Sequence, residues 1–207
     1  MEKYLRINSL AVAKGTGTSA TPTADNQLTG AVGTDFTSSG IDVEAGDFVL
    51  VSTAKDNGPA YALDKVVTVD SATELTLNTF STFAIPADNQ FTVYDKDTRR
   101  DSIIRCNDIA SIVQVGGPRE FTAGSPSVAV VYNGIEIQYA GGAMLTIVFE
   151  GNSASEAKAG AFYDALINQI ETHLQSSATN VMADFVIPPG SEEFVAIQRG
   201  SASVAVS

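Results

Sequence analysis

Tryptophan is missing from the 207 residues of this chain, and cysteine and histidine occur once each, as Cys106 and His173. A lone cysteine cannot close an internal disulfide, which excludes the small bridge-stapled secreted scaffolds and is compatible with a reducing compartment. A lone histidine excludes a multi-imidazole metal centre. Basic side chains are also scarce: 12 Lys and Arg stand against 24 Asp and Glu, for a formal net charge of -12. The longest basic run is Arg99-Arg100. Such a chain repels a phosphate backbone instead of releasing its counterions, so sequence-specific nucleic-acid binding is not expected. Long apolar runs are lacking too. Segments 127–132 and 145–149 fall well short of the roughly 20 residues a membrane-spanning helix needs, so no membrane partner is expected. The N-terminal Met1-Glu2-Lys3-Tyr4-Leu5-Arg6-Ile7 has no apolar signal core and alternates like a strand, which reads as mature protein made in a cytoplasm.

What is present is β-rich. Hydrophobic residues make up 44% of the chain, too many for global disorder. Residues 1–40 read as an N-terminal strand followed, over 13–40, by a Gly/Ser/Thr/Ala-rich arm too poor in large apolar side chains to hold a core of its own. Residues 41–97 read as a small β module. Asp47 to Ser52 is a strand entered through Gly46, Asp56-Asn57-Gly58-Pro59 is a turn, and Tyr61 to Val69 is a second strand. The turn Asp70 to Thr73, the alternating Glu74 to Leu77 and the closing Phe91-Thr92-Val93-Tyr94 complete a barrel or sandwich. Residues 98–178 read as an antiparallel sheet plus one long helix. Gly116-Gly117-Pro118 is expected to break a strand, and Asn133-Gly134 to form a type I′ hairpin turn between Val128–Tyr132 and Ile135–Tyr139. A helix is expected over about 154–175, capped by Ser153 with Glu156 three residues on. Its apolar stripe is Phe162, Leu166, Ile170 and Leu174, flanked by Tyr163 and Ile167. Residues 179–207 read as C-terminal strands or an arm. The fold class is therefore α+β, mostly β: a small barrel or sandwich module plus an antiparallel sheet packed by one helix.

Candidate chemistry is sparse. His173 lies near the helix C-terminus, where an imidazolium is favoured by the carbonyl ends. Cys106 sits in an apolar strand, and the residues around it carry no signature for a Cys–His pair with His173. Gly15-Thr16-Gly17 lacks the lysine and following helix of a phosphate loop, and Gly116-Gly117-Pro118-Arg119 has no helix N-terminus to hold an anion. Asp42, Glu44 and Asp47, with Asp95 and Asp97, read as a solvated acidic rim, a weak structural Ca²⁺ site being the alternative. No catalytic, cofactor-binding or metal-ligating residue is assigned, and no enzymatic activity is expected.

The stretch Ile41-Asp42-Val43-Glu44-Ala45-Gly46-Asp47-Phe48-Val49, the hairpin Val66-Val67-Thr68-Val69-Asp70-Ser71-Ala72-Thr73-Glu74-Leu75-Thr76-Leu77 and the closing Phe91-Thr92-Val93-Tyr94 resemble small β modules of tailed-bacteriophage virion proteins. Residues 103–175 are similar to sheet-plus-helix modules of the same kind. The resemblance implies a non-enzymatic structural component of a phage particle, synthesised in the host bacterial cytoplasm and located in the virion. It implies a homo-oligomer whose partners are its own copies and other virion proteins. The leading role is a capsid decoration or auxiliary protein contacting the major capsid protein through residues 13–40 or 194–206. A tail-tube or neck ring component is the alternative, and a carbohydrate- or receptor-binding module lies further off.

Overall fold

The computed structural model describes residues 2–22, 24, 26–53, 60–78, 87–121, 128–149, 153–177, 179–192 and 194–199. The chain is mostly β, with 51% of its residues in strands and 16% helical. Its strands are β1 (Tyr4–Ala20), β2 (Gln27–Gly30), β3 (Phe48–Thr53), β4 (Ala60–Ser71), β5 (Glu74–Leu77), β6 (Gln90–Arg105), β7 (Ile109–Phe121), β8 (Val128–Tyr139), β9 (Met144–Phe149), β10 (Met182–Asp184) and β11 (Phe194–Arg199). The helix α1 spans Ser153–Gln175, and Cys106–Asp108 form one 3-10 turn.

Strand alternation builds a closed six-stranded antiparallel barrel in the order β1-β2-β5-β4-β3-β6, with β6 returning to β1. Leu28, Val49, Val51, Val66, Leu75, Leu77, Phe91 and Val93 fill it, joined by Phe36 and Val43 from the loop after β2. The Phe36 and Phe91 rings lie 5.6 Å apart in its centre. Each such large side chain contributes on the order of 1.5–3 kcal/mol by leaving water. Two glycines of β1 are required for close approach: a Cβ on Gly15 would stand 2.9 Å from Ile41, and one on Gly17 would stand 2.5 Å from the Phe91 ring.

Residues 13–40 are thus no arm. They supply the barrel with the end of β1, with β2, and with the plug residue Phe36. Their small, threonine-rich composition answers to barrel curvature and to the tight fit over Ile41 and Phe91, which a reading by hydrophobicity alone misses.

β1 and β6 run on beyond the barrel as a long ribbon, with β10 added in parallel along β1. Its register slips between Ala11 and Ala13, where the partner changes from Arg99 to Tyr94, so residues 95–98 of β6 bulge against Val12. Past the ribbon lies a four-stranded sheet, β11-β9-β8-β7. One face of that sheet packs on α1: Ile135, Ile137, Leu145, Ile147 and Phe149 meet Ala159, Phe162, Leu166 and Ile170, with Leu5, Ile7 and Ile104 of the ribbon and Cys106 of the 3-10 turn completing the cluster. Phe162 is its hub, with ring centroids 5.5 Å from Phe149, 4.8 Å from Phe185 and 5.0 Å from Phe194. The other face meets the outside of the barrel through Val148 and Val195 against Phe48, Leu50 and Leu63.

Three local expectations give way to tertiary context. Asn133-Gly134 is not a turn, because β8 runs straight through it as a central strand. Asn133 pairs with Gly116 and Phe149, and Gly134 with Val115 and Val148. Flanking β-branched residues and partners on both sides outweigh the turn preference of the dipeptide, and Gly134 stands between two valines of the face that meets the barrel. Gly116-Gly117-Pro118 likewise lies within β7. β7 is the outermost strand, where a proline with its nitrogen outward removes no ladder bond. In α1 the buried stripe of Phe162, Leu166 and Ile170 continues to His173, which is 4% exposed, and not to Leu174, which is 41% exposed. The expected turn at 56–59 and strand at 203–206 lie outside the described residues, as does the side chain of Ser153.

Candidate functional site

The ionisable groups that the fold buries are bound to the chain itself. Asp47 is fully buried. One of its oxygens accepts from Lys14 Nζ at 2.9 Å and from the Glu44 amide at 2.8 Å, and the other accepts from the Lys96 amide at 3.1 Å. Lys14 also donates to the Asp42 carbonyl at 2.9 Å, and Lys96 Nζ donates to Glu44 at 3.0 Å and to the Ala45 carbonyl at 2.9 Å. Burial pushes the Lys14 ammonium down, but its bond to Asp47 and the nearby carboxylates of Asp47, Asp95 and Glu44 hold it above the ordinary lysine value. Lys96 beside Glu44 holds that carboxyl below its usual range. The carboxylates of Glu44, Asp47 and Asp95 therefore come together around two ammonium groups, and Asp42 contributes its main-chain carbonyl. They clamp the 42–47 loop, with its positive φ at Asp42 (57°) and Gly46 (92°), onto the β6 bulge. The expected rim is thus part buried and charge-compensated. Among the described residues, no three His, Cys, Asp or Glu are grouped to hold a metal ion.

A second cluster sits at the other end of β1. Lys3 is 4% exposed, and its ammonium donates to the carbonyls of Ser177 (2.6 Å), Asn180 (2.5 Å) and Ser176 (3.4 Å) and to the Ser176 hydroxyl (3.0 Å). It is the cation at the carbonyl end of α1, where the helix dipole favours one. Nothing in the sequence analysis singled it out, although it shares the inward parity of Leu5 and Ile7. His173 is held one turn earlier: its Nε2–H donates to the Val181 carbonyl at 3.2 Å. Gln169, four residues before it, both donates to the Val186 carbonyl and accepts the Val186 amide at 3.1 Å. This pair on one helix face satisfies the outer side of the β10 segment.

Cys106 does not serve as a nucleophile partner for His173. It lies in the apolar cluster under α1, with its thiol directed to the Ile104 carbonyl at 3.8 Å. Burial pushes that thiol up to about 11, so it carries no thiolate at neutral pH. Gly15 and Gly17 are packing glycines of β1, not a phosphate cradle, and Gly116 to Arg119 lie along β7.

A groove of about 390 Å³ runs between Thr16–Thr18 of β1 and the loop carrying Val32, Thr34, Asp35 and Ile41. Its carboxylate is already used, since Asp35 accepts from the amide and hydroxyl of Thr37 and from the Ser39 hydroxyl. Comparison with models of known families, with curated proteins and with solved structures finds no match to this chain.

Proposed function

We propose that the chain is a non-enzymatic structural component of a bacteriophage particle, acting as a capsid decoration or auxiliary protein that stabilises the shell through subunit contacts. The observation that carries this reading is where its buried and bonded polar side chains go. Asp47, Lys14 and Lys96 tie the barrel's loop to the ribbon, while Lys3, His173 and Gln169 tie the helix end to β10. These groups brace a frame of two packed units and do not converge on the groove beside β1. Support also comes from residues 41–94: the strand pattern that resembles virion modules lies within the barrel as the pairings β3–β4, β4–β5 and β3–β6. The net charge of -12 keeps such a subunit soluble until a lattice of matching contacts takes it up.

The test is co-sedimentation and antibody labelling. Antibody raised against the purified chain is expected to decorate phage particles pelleted from the source culture, over the shell surface. Labelling confined to the tail axis replaces decoration with a ring role, and absence of the chain from every particle fraction overturns the reading.

A further inference from the structure

Beyond the barrel, β10, β1 and β6 lie side by side, and their register fixes which side chains share a face. Met182 pairs with Tyr4 and Tyr4 with Arg105, while Asp184 pairs with Arg6 and Arg6 with Ile103. The alternate positions Ala183, Leu5 and Ile104 belong to the cluster under α1, as does Phe185. By strand alternation Met182, Asp184, Tyr4, Arg6, Arg105 and Ile103 point the other way, and Val186 follows them past Phe185. This outer face is open: Met182 is 42% exposed and Val186 70%, and the side chains of Arg6 and Asp184 are 40% and 56% exposed. The edge of β10 is not the available part, because Gln169 takes the Val186 amide and carbonyl. Tyrosine, methionine and arginine are the residue types that protein interfaces favour at their centres. Both guanidinia are held in place before any partner arrives. Arg6 sits between Asp184 at 2.6 Å and Asp101 at 3.7 Å. Arg105 sits between Asp108 at 3.0 Å and Glu2, which also accepts from the Tyr4 hydroxyl. Each guanidinium thus has two carboxylates, and each set carries one surplus negative charge beside the apolar Met182, Tyr4 ring and Ile103.

We infer that this face docks a different protein, one whose contact patch sets lysine or arginine around apolar side chains. Charge decides the occupant. A basic patch neutralises both surpluses and leaves Arg6 and Arg105 their own carboxylates. A second copy of this chain would set surplus against surplus, and an acidic partner would have to strip Asp184 or Glu2 from the guanidinia. The same surplus repels a phosphate backbone. Because the two arginines are already fixed, docking costs them little further side-chain freedom. The inference rests on the reading of the chain as an assembling subunit and deepens it, naming the surface used and the chemistry of the subunit that meets it.

The test has two arms. In the first, the isotope-labelled full-length chain is titrated with a synthetic peptide of alternating lysine and valine, and with its glutamate-for-lysine counterpart, while amide resonances are followed by NMR. Shifts are expected at Tyr4, Arg6, Ile103 and Met182 with the lysine peptide and not with the glutamate peptide. Ile103→Lys and Met182→Lys are each expected to weaken the binding about ten-fold with circular dichroism unchanged, and Val67→Lys on the barrel is not. Shifts centred elsewhere, an equal response to the glutamate peptide, or binding that both face variants leave intact overturns the inference. Should a variant unfold, the wild-type shift map decides. In the second arm, a benzophenone side chain replaces Met182 in chain carried by phage particles. A cross-link to a lysine- or arginine-bearing segment of another virion protein is expected. A cross-link to a second copy only, or none in particles that hold the chain, overturns the inference. Shifts on this face together with particles that lack the chain sustain the face and remove the phage reading, so the two failures are distinguishable.

Discussion

Replacing Lys3 by methionine keeps the aliphatic stem and most of the volume but withdraws the ammonium from the end of α1. In the native protein Lys3 is 4% exposed and its ammonium serves the carbonyls of Ser177 and Asn180 at 2.6 and 2.5 Å, with Ser176 further off. Two carbonyls left without a donor cost about 1–3 kcal/mol each if they stay dry, and the lost cation at the helix terminus adds about 0.5–1 kcal/mol. Against this, the variant no longer desolvates a charge, which returns several kcal/mol in idealised estimates and about 1–2 kcal/mol where water lies close. Ser177 and Asn180 are exposed, so water reaches the vacated carbonyls and the lower figures apply. The balance is a loss of about 1 kcal/mol, or a fall in Tm of about 3 °C for a chain of this length. Denaturant unfolding followed at the helix band measures it, with Ser176→Ala as the second arm of a double-mutant cycle, since the two side chains touch. A neutral or stabilising Lys3→Met with zero coupling would refute the argument that the buried ammonium closes the helix.

Other outcomes follow from packing and burial. Gly17→Ala, whose new methyl would stand 2.5 Å from Phe91, is expected to destabilise by about 2 kcal/mol through displacement of the barrel's central ring. Gly141→Ala, with nothing within 4 Å of its Cβ, should unfold within about 0.5 kcal/mol of wild type; chemical denaturation compares the pair. Burial raises the Cys106 thiol from 9.0 to about 11 and the Tyr139 phenol from 10.0 to about 12. Both folded values lie above the unfolded ones, so the folded state binds more protons in alkali. Their contribution is full below pH 9 and declines as pH rises towards 11 and 12. Unfolding midpoints measured between pH 8 and pH 11 should therefore fall, and Cys106→Ala should flatten the first part of that fall. A thiol reagent at neutral pH is expected to label Cys106 only as fast as the chain opens; rapid labelling of the folded protein would contradict its burial.

Much of the fold was legible because alternation is a strong signal where one face is buried. Val49 and Val51, Leu75 and Leu77, and Phe91 and Val93 all lie in segments that read as strands, and all fill the barrel. The helix was legible from Phe162, Leu166 and Ile170. What hid the role of residues 13–40 was composition: Gly15, Gly17 and the threonines around them look like linker chemistry until Ile41 and Phe91 are seen pressing on the glycines. Asn133-Gly134 misled for the opposite reason, since a strong local turn preference was overruled by pairing to β7 and β9 on both sides. The buried polar clusters were the least legible part. Asp47 finds Lys14 from 33 residues away and Lys3 finds Asn180 from 177 residues away, and such partners are set by topology, not by local spacing.

The central claim is that this chain acts by assembling into a phage shell. Imaging intact particles by electron cryomicroscopy, with the chain fitted into the averaged density, tests it most directly. The account predicts repeated copies at equivalent positions over the capsid surface, meeting other virion subunits through the outer face of β10, β1 and β6. Particles whose shell density is fully explained without this chain would contradict it.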